Sequence, residues 1–129
     1  MMERRADARV EVSHSVLYRS DFYPRPNVAS TLDLSLGGAR IETLYSLNAY
    51  EGLAISIAIQ PQVIESRGKV IHVRELENGR IEAGIQFEEM AEHDRLYLKQ
   101  YLFHIMEQQA ISSLSPNKIP SEGKYQNQR

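Results

Sequence analysis

Arg5 and Arg9 near the start of the chain, and Asp33, Ser35, Gly37 and Gly38 further on, are the residues whose types and spacing support a specific chemistry. Arginines four apart lie on one side of a segment whether it is extended or helical, so Arg5 and Arg9 close on one ligand. A guanidinium offers five donors in a rigid fork; it chelates phosphate, pairs with the O6 and N7 edge of guanine, or stacks on a base. The second group is complementary. An ionised Asp33 accepts hydrogen bonds, and the N1-H and N2-H2 edge of guanine only donates them. Asp33 and Ser35, two apart, share one face of a strand. Gly37 and Gly38 allow positive φ and let the backbone approach a ligand where a Cβ would collide. Together these residues suit a ligand carrying both guanine and phosphate.

The segments that position them read as alternating strands. Val10, Val12, Val16 and Tyr18 fall at even positions with His14 between them, which predicts one long half-buried strand. Residues 20–27, with Pro24 and Pro26, read as a loop. Val28, Leu32 and Leu34 then share the face opposite Asp33 and Ser35, placing the apolar side inward and the motif outward. Ala39, Ile41 and Thr43 form a third strand with Arg40 and Glu42 turned away. Leu53, Ile55, Ile57 and Ile59 form a fourth, opened by Gly52 and ended by Pro61. Residues 62–76 supply a fifth, centred on Val70, Ile71 and Val73. Asn78-Gly79 predicts a type I′ hairpin turn into a sixth strand, with Ile81, Ala83, Ile85 and Phe87 on its apolar face.

Six short strands so connected predict a small antiparallel barrel, whose closure removes exposed edges. After Met90 the period changes. Leu98, Tyr101, Leu102 and Ile105 make a helical stripe, and Asp94 sits where an acid favours the helix dipole. Tyr97, Phe103 and Met106 lie partly off that stripe and either widen its buried face or make a partner or dimer contact. The predicted organisation is a mobile N-terminal clamp over 1–9, a barrel plus helix over 10–110, and a disordered tail over 111–129, whose composition lacks periodicity from Ser112 on.

Composition excludes several classes of function. The 129 residues suit one domain, with 42% hydrophobic and 25% charged residues as in ordinary globular proteins. Fifteen basic against 17 acidic residues, a net charge of -2, give no broad affinity for nucleic acid or membranes. The absence of cysteine removes disulfides, thiol catalysis and thiolate metal sites. No apolar run is long enough to span a bilayer, and Met1-Met2-Glu3-Arg4-Arg5 leads into charge, so the expected location is cytoplasmic. His14, His72, His93 and His104 are too dispersed for a metal cluster. No Gly-x-Ser-x-Gly elbow surrounds Ser35, and Gly37-Gly38-Ala39-Arg40 lacks the Lys-Ser/Thr of a phosphate-binding loop, so no enzyme is expected. Arg40, Arg67 and Arg74 read as ordinary surface charge.

The two motifs resemble the signature of the PilZ domain family, Arg-x-x-x-Arg followed by Asp/Asn-x-Ser-x-x-Gly, through Arg5, Arg9, Asp33, Ser35 and Gly38. The resemblance spans residues 3–108. It includes Gly84-Ile85-Gln86-Phe87, Asp94-Arg95-Leu96 and Tyr101-Leu102, which look like the last strand and closing helix of the family. It implies a mainly β fold, a six-stranded antiparallel β-barrel with a C-terminal α-helix, and a receptor for the bacterial second messenger cyclic di-GMP. Arg5 and Arg9 would hold guanine edges and phosphates, Asp33 and Ser35 would read the guanine, and Gly38 would give clearance. Arg4, directly before the first motif arginine, implies an intercalated pair of ligands, while Glu3 and Asp7 partly offset the local charge. The expected role is an adaptor that orders its N-terminal segment on the ligand and signals to an unidentified effector protein, with a homodimer as a further expectation. The alternative is a PilZ-fold protein-protein interaction module that binds no nucleotide and works through Tyr97, Phe103 and Met106.

Overall fold

The computed structural model describes residues 8–23 and 25–114. Six strands, β1 (Ser15–Ser20), β2 (Asn27–Leu34), β3 (Gly38–Thr43), β4 (Gly52–Ile59), β5 (Gln62–Glu75) and β6 (Ile81–Met90), precede one helix, α1 (Glu92–Leu114). The strands close into a barrel in the order β1-β2-β3-β6-β5-β4, each pair antiparallel. Alternation explains the core: Val16 and Tyr18 of β1, Ala39 and Ile41 of β3, Leu53, Ile55, Ile57 and Ile59 of β4, and Ala83 and Ile85 of β6 are all buried.

Three local features depart from simple alternation. The expected first strand is shorter, because regular pairing begins at Ser15 and Val10 makes only an isolated bridge to Leu34. Register shifts between Val70 and His72 leave Ile71 out of the ladder and 42% exposed, so it does not share the core with Val70. The β5-β6 hairpin is present, but only Gly79 has positive φ, at 85°; Asn78 does not. The amide of Gly79 donates to Leu76 O and that of Leu76 to Arg80 O. This is a type I turn followed by a glycine bulge, not the expected type I′ turn.

α1 closes the barrel end where the motif turn lies. Leu98 and Leu102 enter the core, the Asp94 carboxylate accepts the amide of Glu65, and the Tyr97 hydroxyl donates to Ile59 O. The His14 Nε2 lies 2.7 Å from the Tyr101 hydroxyl, with the rings edge to face. Burial lowers the pKa of His14 below its ordinary value. The helix runs to Leu114, past the point where its sequence loses periodicity. Among the described residues no helix is long and apolar enough to cross a membrane.

Candidate functional site

A β-bulge builds the site. Thr31 pairs with Ile41 but Asp33 pairs with Arg40, so Leu32 is an extra residue in β2. The bulge changes the phase of the strand: Ala29 and Thr31 face the core before it, and Leu34 after it. Val28 is therefore 66% exposed and does not share the face of Leu34 as alternation predicted. Asp33 does lie opposite Leu34, yet it is only 4% exposed, because two arginines cover it.

Arg9 Nη1 donates to Asp33 Oδ1 at 2.8 Å, and Arg40 Nε donates to Asp33 Oδ2 at 2.8 Å. Arg9 is delivered by its neighbour. Val10 is 2% exposed, and its amide and carbonyl exchange 2.9 Å bonds with Leu34, which pins the N-terminal segment beside the end of β2. Arg40 reaches Asp33 because the two residues are cross-strand partners on β3 and β2.

From Arg40 the charges continue around the barrel. Its Nη1 lies 3.1 Å from Glu82 Oε2, and Arg74 Nη2 lies 2.8 Å from Glu82 Oε1. Glu82 stands directly across from Glu42, a repulsive pairing that Arg80 relieves by holding Glu42 at 2.6 Å. The result is a row Arg9-Asp33-Arg40-Glu82-Arg74 that runs from the N-terminal segment through β2, β3, β6 and β5. Bonds to Asp33 first, and then to Glu82, raise the pKa of Arg40. Burial pushes the Glu82 carboxyl up, but bonds from Arg74 and Arg40 outweigh it and leave the pKa below its ordinary value of 4.5.

This shift predicts an acid dependence. A carboxyl depressed in the folded state adds stability that is fully present above its unfolded pKa and is lost as pH falls through the lower folded value. Urea midpoints measured from pH 7 down to about pH 3 are therefore expected to fall at the acid end, and Arg40→Ala to make that fall shallower. Parallel acid limbs for Arg40→Ala and the parent protein would refute the coupling.

Ser35 and Gly38 form the turn between β2 and β3. The Ser35 amide donates to Gly38 O at 2.8 Å; its hydroxyl donates to the same oxygen at 3.2 Å and accepts from the Gly38 amide at 3.1 Å. Ser35 is thus 4% exposed, with its hydroxyl engaged inside the turn. A Cβ on Gly38 would sit 2.1 Å from Ile85 O, so the clearance this glycine provides is toward β6. Gly37 has open space around it, and neither glycine has positive φ. Arg95 Nη1 reaches Leu36 O at 3.4 Å, joining α1 to the turn.

The structure thus brings Arg9, Asp33, Ser35 and Gly38 to one end of the barrel, while Arg4 and Arg5 lie outside the described residues. The expected N-terminal clamp is described only from residue 8 on. Arg40, which reads from the sequence as ordinary surface charge, and Glu82 are neighbours of the two motifs. Their signal was parity, since both point outward on strands that flank the motif. Arg67 is held elsewhere by a bidentate pair with Asp21. Among the described residues no group of three or more histidines or carboxylates is placed to hold a metal ion.

The model of the PilZ domain family matches residues 3–104. No curated protein matches the chain. Among solved structures, the Bacillus subtilis inhibitor of motility (MotI/DgrA) is similar with a TM-score of 0.70 at 17% identity, over 78% of this chain and 50% of that one. YcgR from Escherichia coli in complex with c-di-GMP has a TM-score of 0.69 at 16% identity, over 86% of this chain and 49% of that one. The PilZ domain of YcgR with c-di-GMP has a TM-score of 0.65 at 13% identity, over 87% of this chain and 96% of that one. The chain therefore spans about half the length of the first two and nearly all of the isolated domain. At these identities the likeness is one of fold.

Proposed function

This chain belongs to the PilZ domain family, and on that premise we propose that it is a receptor for cyclic di-GMP. The observation that carries the reading is the meeting of the two motifs: Arg9 of the first donates to Asp33 of the second at 2.8 Å. Binding exchanges this bond. The Arg9 guanidinium swings from the carboxylate to the phosphate or the O6 and N7 edge of the ligand, and the freed Asp33 oxygen accepts from the guanine N1-H and N2-H2 edge. Arg40 remains on the other oxygen and keeps Asp33 aimed.

Arg5 acts with Arg9, and Arg4 meets a second, intercalated ligand. Ser35 and Gly38 hold the turn beside the guanine. Residues 1–9 close over the ligand, and because ordering backbone costs about 1–2 kcal/mol per residue, several charge-assisted bonds must form together. The response is accordingly switch-like, and the closed segment passes the signal to an effector protein in the cytoplasm.

Calorimetry tests the reading. The purified protein is expected to release or absorb heat with micromolar cyclic di-GMP at about two ligands per chain. No heat under conditions where circular dichroism shows an intact fold would sink the receptor; a stoichiometry near one would sink the role of Arg4.

A further inference from the structure

We propose that the outward face of α1 is a self-association surface on which two copies of this chain pair with their helices antiparallel. The helix spans Glu92–Leu114, but its packing on the core ends at Met106. Leu98 and Leu102 are the last fully buried side chains, and every residue from 107 to 112 is exposed. A helix in water is marginal without packing of one face, and no basic residue in the last turn of α1 offsets the dipole. This exposed end of the helix therefore calls for a partner.

The face turned away from the barrel has the pattern for one. Leu96, Phe103 and Ala110 recur at intervals of seven, so they lie on one stripe, and all are exposed; Leu96 is 53% and Phe103 60% accessible. Lys99 and Glu107 flank that stripe, each four residues from Phe103, and both are exposed. Neither forms an ion pair with another described residue.

Their symmetry identifies the occupant as a second copy and sets its direction. In an antiparallel pair centred on Phe103, Leu96 meets Ala110 of the partner, Phe103 meets its equivalent, and Lys99 meets Glu107, twice over by the two-fold axis. In a parallel pair in register, Lys99 would face Lys99 and Glu107 would face Glu107. Charge thus selects the antiparallel arrangement, because opposite signs flank the apolar centre and the parallel alternative sets like charges together.

The test is the mass of the full chain by sedimentation velocity from about 5 to 500 µM, with circular dichroism confirming the fold of each variant. The mass is expected to rise from 14.8 kDa toward about twice that value with concentration. Phe103→Glu is expected to hold the chain monomeric throughout. Lys99→Glu is expected to weaken association about tenfold or more, and adding Glu107→Lys to it to restore association. A parent protein that stays monomeric, or a dimer unaffected by Phe103→Glu, overturns the surface. A dimer that Lys99→Glu leaves unchanged overturns the antiparallel register. None of these outcomes depends on nucleotide.

Discussion

Arg9→Ala is expected to weaken cyclic di-GMP binding by about tenfold or more while the barrel stays folded. Each hydrogen bond to a charged group is worth about 1.5–3 kcal/mol, and a guanidinium that chelates a phosphate or a guanine edge makes two. Losing both, less the bond to Asp33 that binding breaks, costs about 1.5 kcal/mol at least, and every 1.4 kcal/mol is about tenfold in affinity. The effect on the fold is small by contrast. The Arg9 side chain is 52% exposed, its removal opens the Asp33 carboxylate to water, and Asp33 keeps its bond to Arg40. Arg9→Lys retains the charge but not the fork, so only part of the affinity is expected to return. Titration calorimetry paired with urea unfolding of each variant separates the two effects. Parent-like affinity in Arg9→Ala, with an unchanged unfolding midpoint, would remove Arg9 from the site.

Gly38→Ala is expected to destabilise the barrel by about 3 kcal/mol or more, which in thermal unfolding lowers the midpoint by about 10 °C or more. The new Cβ would lie 2.1 Å from Ile85 O, 3.2 Å from Ile85 C and 3.4 Å from Gln86 Cα. All three are backbone atoms of the partner strand, so no rotamer change relieves the clash. β3 and β6 must part at the Gly38–Gln86 pair, beside the turn that Ser35 holds. The adjacent Gly37 provides the control: a Cβ there meets nothing within 4 Å, and Gly37→Ala is expected to stay within about 0.5 kcal/mol of the parent. Equal midpoints for the two variants would show that the strands part without cost and that the glycine is kept for another reason.

Much of this molecule was legible in residue order. The period of two in β3, β4 and β6 reported which side chains enter the core, because a strand with one wet face has no other stable parity. The change to a helical period after Met90 located α1, with Leu98 and Leu102 on its buried stripe. The spacing of the two motifs and their strand context pointed to the PilZ domain, whose family model matches residues 3–104.

Local pattern misled where the ladder shifts. A bulge is a property of two strands, so neither Leu32 nor Ile71 announces that it stands outside the pairing. Asn78-Gly79 marked a turn correctly, but the turn type follows from the hydrogen bonds that the flanking strands impose.

What the sequence by itself determined is a six-stranded barrel with a closing helix, and which side chains make up the two motifs. Only the tertiary structure decided which of those side chains meet. Arg9 finds Asp33 through the bridge of Val10 to Leu34, Arg40 joins them because β2 and β3 pair in a shifted register, and Gly38 is required by the carbonyl of a strand far along the chain. Alternation reports the face of a residue, since that depends on its own strand. Partners across the ladder depend on register, and register is fixed only when the barrel closes.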